Sequence, residues 1–393
     1  MSRGRLFASL TSLVFLVNLS RLVYAPLVEP LKAAFGVDAD VIGVVVTLVW
    51  VGSALPRVPT GWLLTRVPRH RVVLGAGLVM TVAAGFASTA NSVLLLGAGA
   101  LGMGLASGVY FVSANPLVSE LYPDRVGRMM GIHGMASQVA AVVAAPLVSA
   151  ALLLATWSDV FAAIAVAGAA TTAVFYVVAR RTEMPAASGA DRDLVGAVRS
   201  QWPLVAAGVI ILGTTGFVWQ GIFNFYVSFL IAERGFAEPA ARNLLTVVFA
   251  AGVPAFFVSG RLADRFPHVP YILTILVAFL AASFVVTATG GTVLVLATAA
   301  LGYVIHSLFP AMDTYLLDTL PDEHRGGAYA VYSGGMMIMQ ATGSTAVGTL
   351  SAAGYGYAAV FQGLLVALAV VVAALAGIWA LGRFPGARDR PVF

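Results

Sequence analysis

Long apolar runs separated by short polar turns fill this chain. They lie at about 6–29, 40–64, 71–89, 92–119, 128–154, 158–179, 201–231, 240–264, 269–289, 292–317, 326–352 and 356–382. Most reach the roughly 20 residues that a helix needs to cross about 30 Å of hydrocarbon. The runs are continuous rather than alternating, which argues against the lipid-facing strands of a barrel. Helices satisfy their own backbone N–H and C=O groups, as lipid demands. The pattern predicts an all-α membrane protein with twelve transmembrane helices. The first run follows Arg3 and Arg5, as a secretory signal would. No clear small-residue cleavage site follows it and Arg21 interrupts its apolar core, so it is read as a membrane helix.

The turns carry a second pattern. Gly61, Leu63, Arg66 and Pro68 recur as Gly260, Leu262, Arg265 and Pro267, an offset of 199 in a chain of 393 residues. In both places one apolar run ends at the glycine and the next begins just after the proline. A repeat of half-chain period among hydrophobic segments marks a duplicated membrane bundle. The expected organisation is two pseudo-symmetric six-helix bundles, 1–179 and 201–393, the second ending in a short cytoplasmic tail. The polar stretch 180–200 joins them as a cytoplasmic linker.

Composition agrees with a bilayer as solvent. Hydrophobic residues make up 60% and charged residues 10%, against about 45–50% and about 25% in soluble domains. The absence of cysteine removes disulfides, thiol nucleophiles and thiolate metal sites. The net charge of +5 is distributed by topology. Lys32, Arg234 and Arg242 fall on one side of the twelve-span arrangement, Arg21 and Arg57 lie within spans, and the remaining basic residues fall on or near the other side. Such a bias places both termini and the linker in the cytoplasm of a multi-pass cell-membrane protein. It also accounts for the charge without a nucleic-acid partner.

These features together resemble the major facilitator superfamily over the whole chain. The family's loop pattern, G-x-L-a-D-r-x-G-r after helices 2 and 8, is matched closely by Gly260-Arg261-Leu262-Ala263-Asp264-Arg265-Phe266. The first copy departs from it, with Thr65 in place of the acid and Pro68 in place of glycine. The resemblance implies that the loop residues Gly61, Arg66, Gly260, Asp264 and Arg265 brace the two halves, with an asymmetry caused by the missing acid. Two other family patterns are degraded. Ala100 stands where the fourth helix usually has arginine, and Ala145-Pro146 is all that remains of the glycine-rich helix-5 motif of proton-driven drug exporters. Around Arg57, the segment Arg57-Val58-Pro59-Thr60-Gly61 resembles helix 2 of nitrate/nitrite porters, although the offset of 199 places Phe256 opposite it.

The chemistry must lie where polar groups interrupt the apolar helices. A charge at the centre of a membrane helix costs about 2.5–3.5 kcal/mol on insertion scales, so each one invites a functional reading. Arg21, Arg57 and Asp313 stand out. A shift of 199 places Arg21 over Gln220, and a shift of 198 places Asn115 over Asp313. The resemblance implies that helices 1, 4, 7 and 10, which carry these four residues, line the substrate cavity. Asn18 shares a helix face with Arg21, and Asn224 with Gln220. His306 lies two turns before Asp313 on one face. Tyr24, Tyr110, Trp219 and Phe223 are candidate walls, and His133 reads as structural.

The expected function is secondary active transport by alternating access of a small anionic or zwitterionic metabolite. Arg21, Asn18, Asn115, Gln220, Asn224 and Arg57 are the substrate-binding candidates. Arginine suits a carboxylate or phosphate because its planar fork donates two parallel hydrogen bonds. Asp313 with His306 is the candidate for loading and releasing a coupling proton. The alternatives are export of amphipathic drugs by proton antiport and a transporter-like sensor that moves nothing. No nucleotide loop, metal-ligand cluster or nucleophile–base pairing is visible, so neither a cofactor nor an enzyme activity is expected.

Overall fold

The computed structural model describes residues 3–64, 66–122, 126–184, 194–263 and 265–386. The chain divides into two compact units, Met1–Ala190 and Asp191–Phe393. In the first, α1 (Arg3–Leu22) and α2 (Tyr24–Phe35) form one crossing, and α3 (Ala39–Ala54) and α4 (Arg57–Leu63) the second. The third to sixth are α5 (Arg69–Ser88), α6 (Val93–Leu121), α7 (Val126–Leu154) and α8 (Trp157–Arg180). In the second unit the crossings are α9 (Leu194–Arg234), α10 (Glu238–Ala263), α11 (His268–Ala288), α12 (Gly291–Thr319), α13 (Asp322–Ala352) and α14 (Tyr357–Ala380).

The first two crossings are broken where the sequence pattern ran on. Proline lacks the N–H that would pair with the carbonyl four residues back. Pro26 leaves Leu22 without its donor, and α1 gives way to α2 at Val23. Pro56 and Pro59 do the same at the junction of α3 and α4. The linker also differs from a plain coil: its end is helical from Leu194, and the helical path deviates at Gln201 (φ −111°, ψ 18°), just before Pro203. Gly36 closes α2 in the left-handed region (φ 62°), where glycine carries no steric penalty.

The same helix pairs pack in each unit. In the first, α1 lies on α7 and α8, α3 on α6, and α5 on α6 and α8. In the second, α9 lies on α13 and α14, α10 on α12, and α11 on α12 and α14. Each pairing is carried into the other by the half-chain repeat. The closest approaches repeat as well. A Cβ at Gly104 would run into the carbonyl of Val49, and one at Gly302 into the carbonyl of Val248. Small residues at such points let helix backbones touch, the main source of attraction between helices in lipid.

Among the described residues, eleven helical segments are long and apolar enough to cross a membrane. The twelfth, α13, has 31 residues but carries glycine, serine, threonine and glutamine along its length. Its composition follows from its partner. Gln340 fills the space beside Gly216, Val347 that beside Gly221, and Gly343 meets the carbonyl of Phe217, so α13 is dovetailed to α9. The result is an all-α, twelve-helix membrane protein of two six-helix units.

Candidate functional site

Arg21 lies near the end of α1 and is buried, with 8% of its surface accessible. Its Nη2 donates to Asn18 Oδ1 and its Nη1 to Ser53 Oγ at 3.3 Å. Trp50 and Phe111 flank the guanidinium at 5.0 and 5.3 Å from their ring centroids. Both distances suit a cation–π contact. Asn18 is held in turn, donating from Nδ2 to the carbonyl of Ser137 on α7 at 2.7 Å. Arg57, partly buried, donates from Nε to the carbonyl of Ser53 at 3.2 Å, and its positive charge bears on Arg21. Two guanidinium groups therefore converge on one serine.

Guanidinium has five N–H donors. Arg21 uses its two Nη nitrogens, while its Nε is buried with no acceptor among the described residues. No carboxylate of the described residues reaches it. Glu29, an acid on α2, pairs instead with Lys32 at 3.1 Å. A buried cation without a counter-charge is costly, and the rings and neutral oxygens around Arg21 offset that cost only in part. Asn115, on α6, is half-buried and makes no hydrogen bond with described residues.

In the second unit the candidate residues separate into three environments. Asp313 on α12 accepts a hydrogen bond from Tyr329 Oη on α13 at 2.8 Å. Gln220 and Asn224 face α13 as well: Asn224 Nδ2 lies 3.0 Å from Gln220 Oε1 and 2.9 Å from Ser344 Oγ. These two fasten the α9–α13 seam. His306 sits apart from Asp313, with Nδ1 2.7 Å from the carbonyl of Gly302. Trp219, Phe249 and Phe256 surround its ring.

Of the candidate walls, Trp219 and Phe223 stack at 5.6 Å beside His306. Tyr24 packs against Phe161 at 5.1 Å. Tyr110 is tied into the helix packing, its hydroxyl 2.6 Å from the carbonyl of Leu10 and 3.0 Å from His133 Nε2. That contact gives His133 a structural partner.

At the repeated loop both copies adopt one turn. Arg66 N and Val67 N reach the carbonyl of Leu63 at 3.0 and 2.9 Å, and Arg265 N and Phe266 N reach that of Leu262 at the same distances. Pro68 and Pro267 then open the next helix with φ −56° in both. Arg66 is exposed and stacks over Trp62 at 3.8 Å, and Arg265 is exposed. A Cβ at Gly61 or Gly260 would meet open space, so packing explains neither glycine. Asp264 and Thr65 lie outside the described residues.

Behind the turn a contact between a basic and an acidic side chain is duplicated. Arg69 meets Glu120 at 3.0 Å, and at the repeat-related positions His268 Nε2 lies 3.3 Å from Asp318.

Sequence reasoning missed Ser53, Trp50 and Phe111 around Arg21, and Tyr329 beside Asp313. A usable signal existed for the first two: Trp50, Ser53 and Arg57 share one helical face by their spacing.

Comparison with known proteins bears on the whole chain. The family model of the Major Facilitator Superfamily matches residues 10–305 and 209–391. The purine ribonucleoside efflux pump NepI of Shigella sonnei (strain Ss046) is 26% identical over 231 residues, which is 58% of this chain and 57% of that protein. The chain thus spans little more than half the length of that relative. The uncharacterized MFS-type transporter YwfA of Bacillus subtilis is 23% identical over 386 residues, 96% of this chain and 92% of its own. Among solved structures, a bacterial homolog of the human lysosomal transporter Spinster, inward-facing and unoccupied, superposes with a TM-score of 0.79. It covers 99% of both chains at 16% identity. A POT family transporter in complex with 5-aminolevulinic acid gives 0.76 over 98% of this chain and 96% of that one, at 12% identity. These two likenesses are likenesses of fold. With its helix pairing duplicated in two six-helix units and its sequence matched end to end, the chain belongs to the Major Facilitator Superfamily.

Proposed function

We propose that this transporter carries a small metabolite bearing a carboxylate or phosphate, by secondary active transport and alternating access of its two units. One observation carries the reading: among the described residues the buried guanidinium of Arg21 has neutral hydrogen-bond partners only, and its Nε has no acceptor. An anionic group would supply the missing charge and acceptors in one step, through the parallel hydrogen bonds that arginine's fork favours. Arg57 adds a second positive charge at Ser53, and Asn115 an open amide. Asp313 is the group for a coupling proton, with Tyr329 as the donor that steadies its charged form. Gln220 and Asn224 act from behind, by holding α9 to α13. The loops with Arg66, Asp264 and Arg265 govern the exchange between inward- and outward-open states, and both termini lie in the cytoplasm at the cell membrane. The POT family transporter bound to 5-aminolevulinic acid supports the class of cargo, since that ligand carries a carboxylate.

The test is binding and uptake with an Arg21→Lys variant. Lysine keeps the charge and loses the fork, so affinity for a carboxylate probe should fall about tenfold or more while thermal stability stays near wild type. Uptake into vesicles under an imposed pH gradient should fall in parallel. An Arg21→Lys protein that binds and transports as wild type does would sink the reading.

A further inference from the structure

His306 is expected from the sequence to assist Asp313, but the structure gives it a different setting. Seven helical residues separate the two by about 10 Å along the axis. They share no hydrogen bond, and among the described residues no acidic side chain partners His306. The imidazole is fixed instead by neutral groups. Its Nδ1 faces the carbonyl of Gly302, and a carbonyl only accepts, so the hydrogen sits on Nδ1. Its inner edge rests on Gly252, where an added Cβ would lie 2.6 Å from both Cγ and Nδ1. No side chain can be added there without displacing the ring.

What remains is the outer edge. His306 is 94% buried, with 6% of its surface accessible, and Nε2 has no hydrogen-bond partner among the described residues. In the neutral ring that nitrogen presents a lone pair. Trp219 and Phe249 stand at 76° and 67° to the imidazole, with centroids 6.2 and 5.4 Å away, and Phe256 is tilted at 51° and 5.9 Å. Phe256 also lies parallel to Phe309 at 6.4 Å, and both are partly exposed. The acceptor thus belongs to a buried imidazole with aromatic rings of α9 and α10 as its side-chain neighbours. A flat ring coplanar with the imidazole would meet Trp219 and Phe249 edge to face, as the imidazole itself does, and turn its own edge to Nε2.

We propose that His306 and these aromatic rings read a planar nitrogen heterocycle, with Nε2 accepting a hydrogen bond from a ring N–H of the cargo. The inference rests on the transport reading above only in treating the ligand as cargo; the anionic group is a separate claim. Single-residue discrimination of this kind is strong because the analogue without the N–H leaves a buried acceptor unpaired.

Three probes separate the two claims, measured by calorimetric binding to the full chain in lipid nanodiscs. Orotate has ring N–H groups and a carboxylate, benzoate has a carboxylate without N–H, and inosine has a ring N–H without charge. His306→Phe keeps an aromatic ring and loses the acceptor. It should weaken orotate and inosine about tenfold, the scale of one buried hydrogen bond, and leave benzoate unchanged. His306→Gln, with an amide oxygen as acceptor, should recover part of the loss, and that recovery distinguishes reading from folding. Arg21→Lys should weaken orotate and benzoate and leave inosine unchanged. If His306→Phe leaves orotate and inosine unaffected, or weakens benzoate equally, the heterocycle proposal is overturned while the anion reading stands. If only the His306 variants act, the anion reading fails and this one survives. Failure of all three probes to bind the wild-type protein overturns both.

Discussion

Gly52 is a point at which a single methyl group tests the packing of the first unit. A Cβ there would lie 2.5 Å from the carbonyl oxygen of Leu101, 3.0 Å from Leu105 N and 3.1 Å from Gly104 Cα. All three are backbone atoms of α6, so none can swing aside. To reach an ordinary separation, α3 and α6 must part by roughly 0.5–1 Å, a gap that forfeits a quarter to a half of each dispersion contact along the seam. Overpacking of this kind costs about 1–3 kcal/mol. Alanine in place of glycine returns about 1 kcal/mol of helix propensity, so Gly52→Ala should be destabilised by up to about 2 kcal/mol and lie about 1–3 kcal/mol below a variant that gains the propensity without the clash. Gly75→Ala is the matched control, since a Cβ at Gly75 in α5 meets nothing within 4 Å. It should be neutral or slightly stabilising. In detergent, the unfolding midpoint of Gly52→Ala should lie about 2–12 °C below that of Gly75→Ala, using about 2–4 °C per kcal/mol for a unit of this size. Ser53 moves with its neighbour, so affinity for a carboxylate probe should fall as well. Equal midpoints for the two variants would refute the argument that backbone contact holds α3 to α6.

Three further outcomes are expected. Asn18→Asp puts a carboxylate beside Arg21, so the protein should remain as stable as wild type or gain stability while binding of benzoate or orotate drops about tenfold or more; unchanged binding would show that Arg21 does not meet the anion. Tyr110→Phe leaves the carbonyl of Leu10 and the ring of His133 without a shared partner, and should cost about 1–3 kcal/mol in thermal unfolding. A cost near zero would remove the structural role given to that hydroxyl. The chain lacks cysteine, so single cysteines report topology directly. Ala155→Cys should label from outside intact cells and Glu183→Cys only after the membrane is opened, and the reverse would invert the assigned orientation.

Much of the fold could be read from the residues because lipid leaves few choices. Length and apolarity located the crossings, and the Arg66–Pro68 and Arg265–Pro267 turns marked the duplication. The breaks at Val23 and after Ala54 were less visible, since the apolar run continues through them and only the prolines signal the lost donors. The candidate site was legible where its residues share one helix. Spacing alone put Asn18 on the face of Arg21 and Asn224 on that of Gln220. What Arg21 meets on α3 and α6 was not legible, because serine and aromatic residues in an apolar helix look like ordinary packing. The direction that Asn224 faces, toward Ser344, depends on how α9 lies on α13, and residue type carries little information about that. His306 presents the same difficulty: its role turns on which nitrogen Gly302 occupies.

The repeated contacts of Gly104 with Val49 and of Gly302 with Val248 have a consequence for how such a chain can diverge. When two side chains touch, a change in one can be repaired by a change in the other, and the pair drifts together. A glycine against a carbonyl has no such partner, because the opposing atoms are the same whatever residue supplies them. Mutation at these positions has no second-site remedy short of moving a helix. Gly104 and Gly302 keep this contact in both halves, whereas Gly52, which meets the carbonyl of Leu101, is matched by Ala251. Across the repeat Phe256 stands opposite Arg57 and His268 opposite Arg69, while Gly104 is matched by Gly302. One duplicated scaffold thus presents arginine from one copy and phenylalanine from the other at matched positions.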